Sequence, residues 1–393
     1  MLNVELINTD IDRFIEDLLD LALIKKSSDI HIEGLDKSAR IRLRIDGKLK
    51  EILTLDKDYY LKLITKIKLI SKMDIAEKRR PQDSRLSIDK YPDVDFRISS
   101  INTVNGEKIV IRVLSFEEFK SNSNLLGFTL ESKEKLKNSL RQKSGMIIFS
   151  GPTGSGKSTS LYTLLNNLNS EALNIVTIED PVEYKIKGIN QIAINEKIGL
   201  SFANGLRSIL RQDPDVIMIG EIRDTETAQM AIRSAITGHL VLTTLHTKSA
   251  LSSIIRLKDL GIDDYLLSSS INTVASQRLV RKLCDCKKQD RLNDEEYRLI
   301  SKYKKIDRDQ KIYRPVGCDK CNDGYLGREA VEEVFILTND FKEMIKDGDI
   351  SEISFKNYIE KTDFRPMIAN GFEKVLQGKT SLEEVVDVLY EFI

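Results

Sequence analysis

The sequence predicts an α/β protein in two parts, an N-terminal mixed α/β domain and a parallel α/β domain that carries a cysteine-rich insertion and a helical C-terminal tail. Three observations lead there. Short alternating segments broken by turn residues fill the first part of the chain. From Gly145 onward, apolar runs alternate with helical patterns, the signature of βαβ units and a parallel sheet. All four cysteines, Cys284, Cys286, Cys318 and Cys321, fall in one stretch of a long chain.

In order along the chain, Ile11, Phe14, Ile15, Leu18, Leu19, Ala22 and Leu23 recur at helical spacing behind a Thr9 cap. DIHIE and ARIRLRIDGKLKEIL follow as strands, with Asp46-Gly47 as a hairpin turn. A second helix is expected over 58–72, and strands at DVDFRISSI and EKIVIRVL. FKSNSNLLG, residues 119–127, reads as the linker between the two parts. The expected domains are 1–118, 119–280, a tetra-cysteine subdomain at 281–328 and a mostly helical subdomain at 329–393.

The chain has 393 residues, 41% hydrophobic and 31% charged, which suits a globular protein of two or three domains. Sixty-one basic residues balance sixty-one acidic ones, which argues against a broad nucleic-acid footprint. No apolar run approaches the ~20 residues of a membrane helix, and the acidic start lacks a signal-peptide core. The expectation is a cytoplasmic protein.

The motif with the most specific chemistry is GPTGSGKST: Gly151, Pro152, Thr153, Gly154, Ser155, Gly156, Lys157, Ser158 and Thr159. It fits the phosphate-loop (Walker A) pattern, with a strand before it and a helix after it. Glycines let backbone N–H groups curl around phosphate oxygens, and the helix N-terminus adds positive potential. Lys157 is placed for β- and γ-phosphates, and Ser158 for Mg²⁺. Three more apolar runs end in polar groups: NIVTI at Glu179 and Asp180, DVIMIG at Glu221, and HLVLTTL at His246. Ligands of a parallel sheet lie outside the carboxyl ends of its strands, so the four runs deliver one site, a RecA-like P-loop NTPase core. Hydrolysis needs a carboxylate for the Mg²⁺ shell and a group to orient water; Glu221 and Glu179 can fill both roles in either assignment. His246 is placed to sense a γ-phosphate, whereas His31 in SDIHIE is expected on a domain surface. Four clustered thiols in a reducing compartment favour a structural metal over disulfides, with free thiols as the alternative.

From SDIHIE at 28–33 almost to the C-terminus, the chain resembles the bacterial ATPases that assemble type IV pili and drive type II secretion. MDIAEKRRPQDSR, TIEDPVEY, LRSILRQDPDVIMIGEIRDTETA and TGHLVLTTLHT carry the likeness beside the phosphate loop. The resemblance implies a homohexameric, Mg²⁺-dependent ATP hydrolase in which glutamate at the Walker B position, Glu221, is the family's habit. It implies arginine fingers from the N-terminal domain, at Arg97 and Arg112, with Arg80, Arg85, Arg207 and Arg211 as further candidates. It implies Zn²⁺ on Cys284, Cys286, Cys318 and Cys321, although Cys284-Asp285-Cys286 is one residue shorter than the family's C-x-x-C pair. Lys248 also replaces the asparagine that usually follows the histidine box, and the extra N-terminal docking domain of many members is not expected here. The implied partner is a polytopic inner-membrane platform protein, with the ATPase peripheral to the membrane and no nucleic acid bound. The cysteine region favours pilus or pseudopilus extension, or type II secretion, over retraction. A low-turnover nucleotide-dependent scaffold and a nucleic-acid translocase are the alternatives of other classes.

Overall fold

The computed structural model describes residues 10–115, 125 and 127–392. The chain divides into two compact units, Met1–Ser121 and Asn122–Ile393. The expected Thr9 cap and most of the expected linker at 119–127 lie outside the described residues.

In the first unit, helix Ile11–Ile24 is followed by β1 (Ser27–Gly34), β2 (Ser38–Ile45) and β3 (Lys48–Asp56), then helix Lys57–Ile70, β4 (Gln82–Leu86), β5 (Val94–Thr103) and β6 (Gly106–Ser115). The strands form one antiparallel sheet in the order β3-β2-β1-β6-β5-β4. Asp46 and Gly47 both take positive φ, 51° and 87°, as a two-residue hairpin turn requires. Alternation along the strands buries Ile30, Ile32, Ile41, Leu43, Phe96 and Ile98 with Leu19, Leu63 and Ile67 of the two helices. Asp29, His31 and Glu33 take the opposite parity. Glu33 is held by Arg40, Arg42 and Lys108, at 2.9, 2.8 and 2.8 Å. Burial opposes its charge, but these hydrogen bonds outweigh it and bring its pKa down to about 2. His31 lies on the sheet face away from the core, in line with the expected domain-surface position, but it is only 8% exposed, and burial together with the Lys108 charge lowers its pKa.

The second unit is built on seven strands: β7 (Gly145–Ser150), β8 (Ile175–Glu179), β9 (Asn190–Ala193), β10 (Val216–Ile219), β11 (Leu240–Leu245), β12 (Ile271–Leu283) and β15 (Tyr325–Ile336). A separate two-stranded ribbon pairs β13 (Lys288–Arg291) with β14 (Lys311–Arg314). The main sheet runs β15-β12-β7-β11-β10-β8-β9, parallel except where β15 joins β12. Every residue of β7, β8, β10 and β11 is buried, as suits a sheet covered on both faces. Mixed α/β architecture with a helical C-terminal end therefore stands.

Six strands were not legible in the sequence: β4 of the first unit, β9, β12 and β15 of the main sheet, and the β13–β14 ribbon. β12 and β15 carry buried polar residues, including Gln277, Arg281, Glu332 and Glu333, that mask the apolar run of a strand. Residues 329–336, expected in a mostly helical subdomain, belong to β15, and the helical part starts at Asn339. Arg207 lies in helix Phe202–Ile209, but Arg211 lies beyond its end, so the two do not share a full helical face. Among the described residues, no helix is long and apolar enough to cross a membrane.

The C-terminal helix Leu382–Leu389 is tied to β12 by a buried ion pair. Arg281 donates to Glu384 Oε2 through Nε at 2.9 Å and Nη2 at 2.6 Å, and the Arg281 amide donates to Oε1 at 3.0 Å. The guanidinium lies 3.8 Å from the Tyr325 ring centroid. Glu384→Ala leaves that cation buried without its partner and is expected to cost about 3–5 kcal/mol, read as a fall in the denaturation midpoint. A wild-type midpoint would show that the pair contributes nothing net.

Candidate active site

β7 ends at Ser150, the loop 151–156 follows, and helix Lys157–Leu168 begins with Gly156 as its N-cap. Gly154 and Gly156 sit in the left-handed region, at φ 79° and 88°. Nothing stands within 4 Å of a Cβ built on Gly154, so its backbone conformation alone calls for glycine there. At Gly151 the reason is space: a Cβ would come within 2.5 Å of Ser155 Oγ.

Lys157 is 8% exposed, and its ammonium donates to the carbonyl oxygens of Gly151 at 2.7 Å and Pro152 at 3.0 Å. Burial pushes its pKa down to about 8, with the Glu221 charge opposing and the Arg278 charge adding. Ser158 and Thr159 occupy the first turn of the helix, Ser158 exposed and Thr159 half-buried. A cleft of about 600 Å³ opens beside the loop. It is lined by Pro152, Thr153, Gly154 and Ser155, by His246, Thr247 and Lys248 beyond β11, by Arg278 and Leu279 of β12, and by Val388 and Glu391.

The strand ends bring the other groups to the same sheet edge. Parallel register sets Ile219 of β10 against Thr243 of β11 and Ile178 of β8. Past those pairs, the Gly220 amide donates to the Ile178 carbonyl at 2.8 Å, and Thr244 Oγ1 donates to the Gly220 carbonyl at 2.7 Å. Glu221 follows, its side chain 13% exposed. It is bound by Arg223, and His246 Nε2 lies 3.1 Å from its Oε2. Arg223 also lies 3.7 Å from Asp180.

Glu179, at the end of β8, is buried and held differently. Thr177 Oγ1 donates to its Oε1 at 2.6 Å, Gln191 Nε2 donates to the same oxygen at 3.1 Å, and the Tyr162 hydroxyl donates to Oε2. Burial raises its pKa against those three hydrogen bonds. Glu221 and His246 are thus in contact with each other, while Glu179 stands on the neighbouring strand in its own neutral cage. Tyr162, Gln191 and Arg278 escaped the sequence reading because no motif marks them. Arg223 lies inside a quoted motif, two residues past Glu221, and that spacing was the available signal.

Arg97 and Arg112 belong to the first unit, on β5 and β6, and face each other directly across the strand pair. Arg85 of β4 stands opposite Arg97 in turn, so three arginines form a row across three strands. Arg97 Nε lies 3.3 Å from Asp95, and Arg112 Nε lies 3.4 Å from Asp29. Like charges opposite one another destabilise a sheet, and the two aspartates beside the row offset that repulsion.

The four cysteines converge from two loops, one after β12 and one before β15. Their sulfurs all lie within 4.8 Å of one another. Individual separations are 3.9 Å for Cys284 to Cys318, 3.9 Å for Cys286 to Cys321, and 3.6 Å for Cys318 to Cys321. Thiolates about 2.3 Å from a tetrahedral Zn²⁺ stand about 3.8 Å apart, so the donor set fits that ion despite the short C-x-C spacing.

A model of the type II/IV secretion system protein family matches residues 7–387. The chain is 44% identical over 383 residues to type II secretion system protein E of Aeromonas hydrophila, covering 96% of this chain and 75% of that protein. It is 43% identical over 385 residues to the type IV pilus assembly ATPase PilB of Acinetobacter baylyi, covering 96% of this chain and 66% of that one. Its structure is similar to that of the pilus retraction motor PilT with bound ADP, with a TM-score of 0.64 and 26% identity over 95% of this chain and 96% of that chain.

Lys157 carries a pH dependence. A polyphosphate beside it favours the charged ammonium, so binding raises its pKa above the free value of about 8. Affinity is therefore full below that value and falls as pH rises through it, by at most about tenfold per unit. Calorimetry of ADP binding near pH 9 is expected to show weaker binding than near pH 7, with proton uptake. Equal affinity without uptake would show that Lys157 is fully charged before ligand arrives.

Proposed function

Because the chain belongs to the type II/IV secretion system protein family, we propose that it is an ATPase motor that powers extension of a type IV pilus or related pseudopilus. The observation that supports this best is the convergence on one sheet edge of the phosphate loop, the Glu221–His246 pair and Glu179. A type II secretion motor is the second reading. It is favoured by the slightly higher identity to protein E and by the larger share of that protein covered, 75% against 66%. The equal charge balance speaks against a nucleic-acid translocase, and the full set of reactive groups speaks against a low-turnover scaffold.

In this reading Lys157 leaves the Gly151 and Pro152 carbonyls for the β- and γ-phosphates of ATP, while the loop amides and the helix N-terminus take up the remaining phosphate charge. Ser158 and Glu221 are the residues that would hold Mg²⁺, which would supply neutralisation of phosphate charge there. Glu221 is held for that role by Arg223 and by His246, whose Nε2 lies 3.1 Å from its Oε2. Glu179, its pKa raised by burial, accepts a proton from the attacking water and orients it. His246 follows the γ-phosphate through its contact with Glu221. Arg97 and Arg112 of the first unit act as arginine fingers in a homohexameric ring, neutralising charge that develops in the transition state. The ring works on a polytopic inner-membrane platform protein and is peripheral to that membrane. Cys284, Cys286, Cys318 and Cys321 would hold a structural Zn²⁺, with no position left open for catalysis.

Glu221→Gln and Glu179→Gln are expected to bind ATP while losing at least about 10²-fold in phosphate release. Arg97→Ala and Arg112→Ala are expected to keep nucleotide binding and lose most hydrolysis. Wild-type turnover in the arginine variants would remove the fingers from the mechanism, and equally slow turnover in wild type and Glu221→Gln would leave a scaffold. Metal analysis of protein purified without chelator is expected to find about one zinc per chain. Less than half an equivalent, with no uptake on adding zinc, would leave the cysteines as free thiols.

A further inference from the structure

Gln277 lies midway along β12 and is 1% exposed. An amide so buried is costly unless its polar atoms are matched, and here they are matched by the phosphate loop and its helix. The side-chain nitrogen donates to the Ser155 carbonyl at 2.5 Å, and the side-chain oxygen accepts from the Ser160 hydroxyl at 2.8 Å. A carbonyl can only accept, so the nitrogen must face Ser155 and the oxygen Ser160. These partners bracket Lys157, one in the loop and one in the opening turn of the helix.

The loop is also shaped around this residue. A Cβ on Gly156 would stand 2.8 Å from Gln277 Nε2, and one on Gly151 would stand 2.5 Å from the Gln277 carbonyl oxygen. The strand that carries Gln277 is fixed in turn. Ser276 pairs with Ser150, the last residue of β7, and their hydroxyls are 2.5 Å apart. Gln277 therefore reaches the loop from a strand pinned to the loop's own origin.

We propose that Gln277 is a positioning residue for the phosphate loop: from β12 it fixes the curvature of residues 151–156, and with it the aim of the loop amides and of Lys157. This rests on the reading that the loop binds nucleotide phosphates. Gln277 touches no phosphate itself and acts through Ser155 and Ser160. A glutamine that merely glued β12 to the helix would change stability when removed, but not the loop's order relative to the rest of the unit.

The test uses the full chain with Gln277→Met, which keeps the side-chain volume without either hydrogen bond, and Ser160→Ala, which removes one partner. Amide hydrogen exchange of residues 151–156 in the free protein is the primary measurement, with ADP affinity and the melting temperature beside it. Gln277→Met is expected to speed loop exchange and weaken ADP binding by about tenfold or more, while exchange in β10 and β11 stays at the wild-type rate. The double variant is expected to be no worse than Gln277→Met alone, because both changes break one connection. Wild-type loop exchange in Gln277→Met, or faster exchange spread evenly over the unit with a lowered melting temperature, would overturn the proposal. Should Gln277→Met fail to fold, Ser160→Ala decides by the same two outcomes. Loop exchange decides on Gln277 whether or not nucleotide binds, whereas a wild-type chain that bound no ADP would instead count against the ATPase reading.

Discussion

The constraint on which the second unit depends is the in-register parallel pairing of β7, β11, β10 and β8. Leu245 stands opposite Ser150, and Ile219 stands opposite both Thr243 and Ile178, so the strands end nearly level. Each then releases its chain at the same edge of the sheet. The phosphate loop, Glu179, Glu221 and His246 are what the chain places immediately past those ends. A slip of one residue on any of these strands would exchange its side chains between the two covered faces and move its polar terminus out of line. The apolar burial that holds the sheet thus also sets the spacing of the site.

Once the strand ends are level, the charges must be accommodated before any ligand arrives. Lys157 does so on the carbonyls of its own loop, and Glu221 with Arg223 and His246. Glu179 instead has only neutral donors, and burial raises its pKa against them. Two carboxylates on neighbouring strands are consequently held by different partners, one by Arg223 and His246, the other by two hydroxyls and an amide. In the first unit Arg85, Arg97 and Arg112 stand in a row across three strands, with Asp95 beside Arg97 and Asp29 beside Arg112.

Much of this was readable from the sequence, and the reasons are local. GPTGSGKST announces its own strand, loop and helix because only glycine suits the conformations at Gly154 and Gly156. VIMI and LVLTTL read as strands because both their faces are buried. β12 was hidden because its buried face is partly polar: Ser276, Gln277, Arg278 and Arg281 look like a surface stretch until their partners in the loop, in β15 and in helix Leu382–Leu389 are known. The cage around Glu179 was hidden for a related reason, since Tyr162 and Gln191 reach it from elements separated in sequence. The burial of His31 was hidden because a strand's alternation gives the face a residue is on, not how deeply long charged neighbours bury it.

The most direct test of the converging strand ends is a structure of the chain with magnesium and a non-hydrolysable ATP analogue. The expected result places the β-phosphate within the 151–156 loop and the γ-phosphate at the edge formed by Glu221, His246 and Glu179, with Lys157 moved off the Gly151 carbonyl. A nucleotide seated with its γ-phosphate turned away from β10 and β11, and Lys157 still on the loop carbonyls, would contradict it.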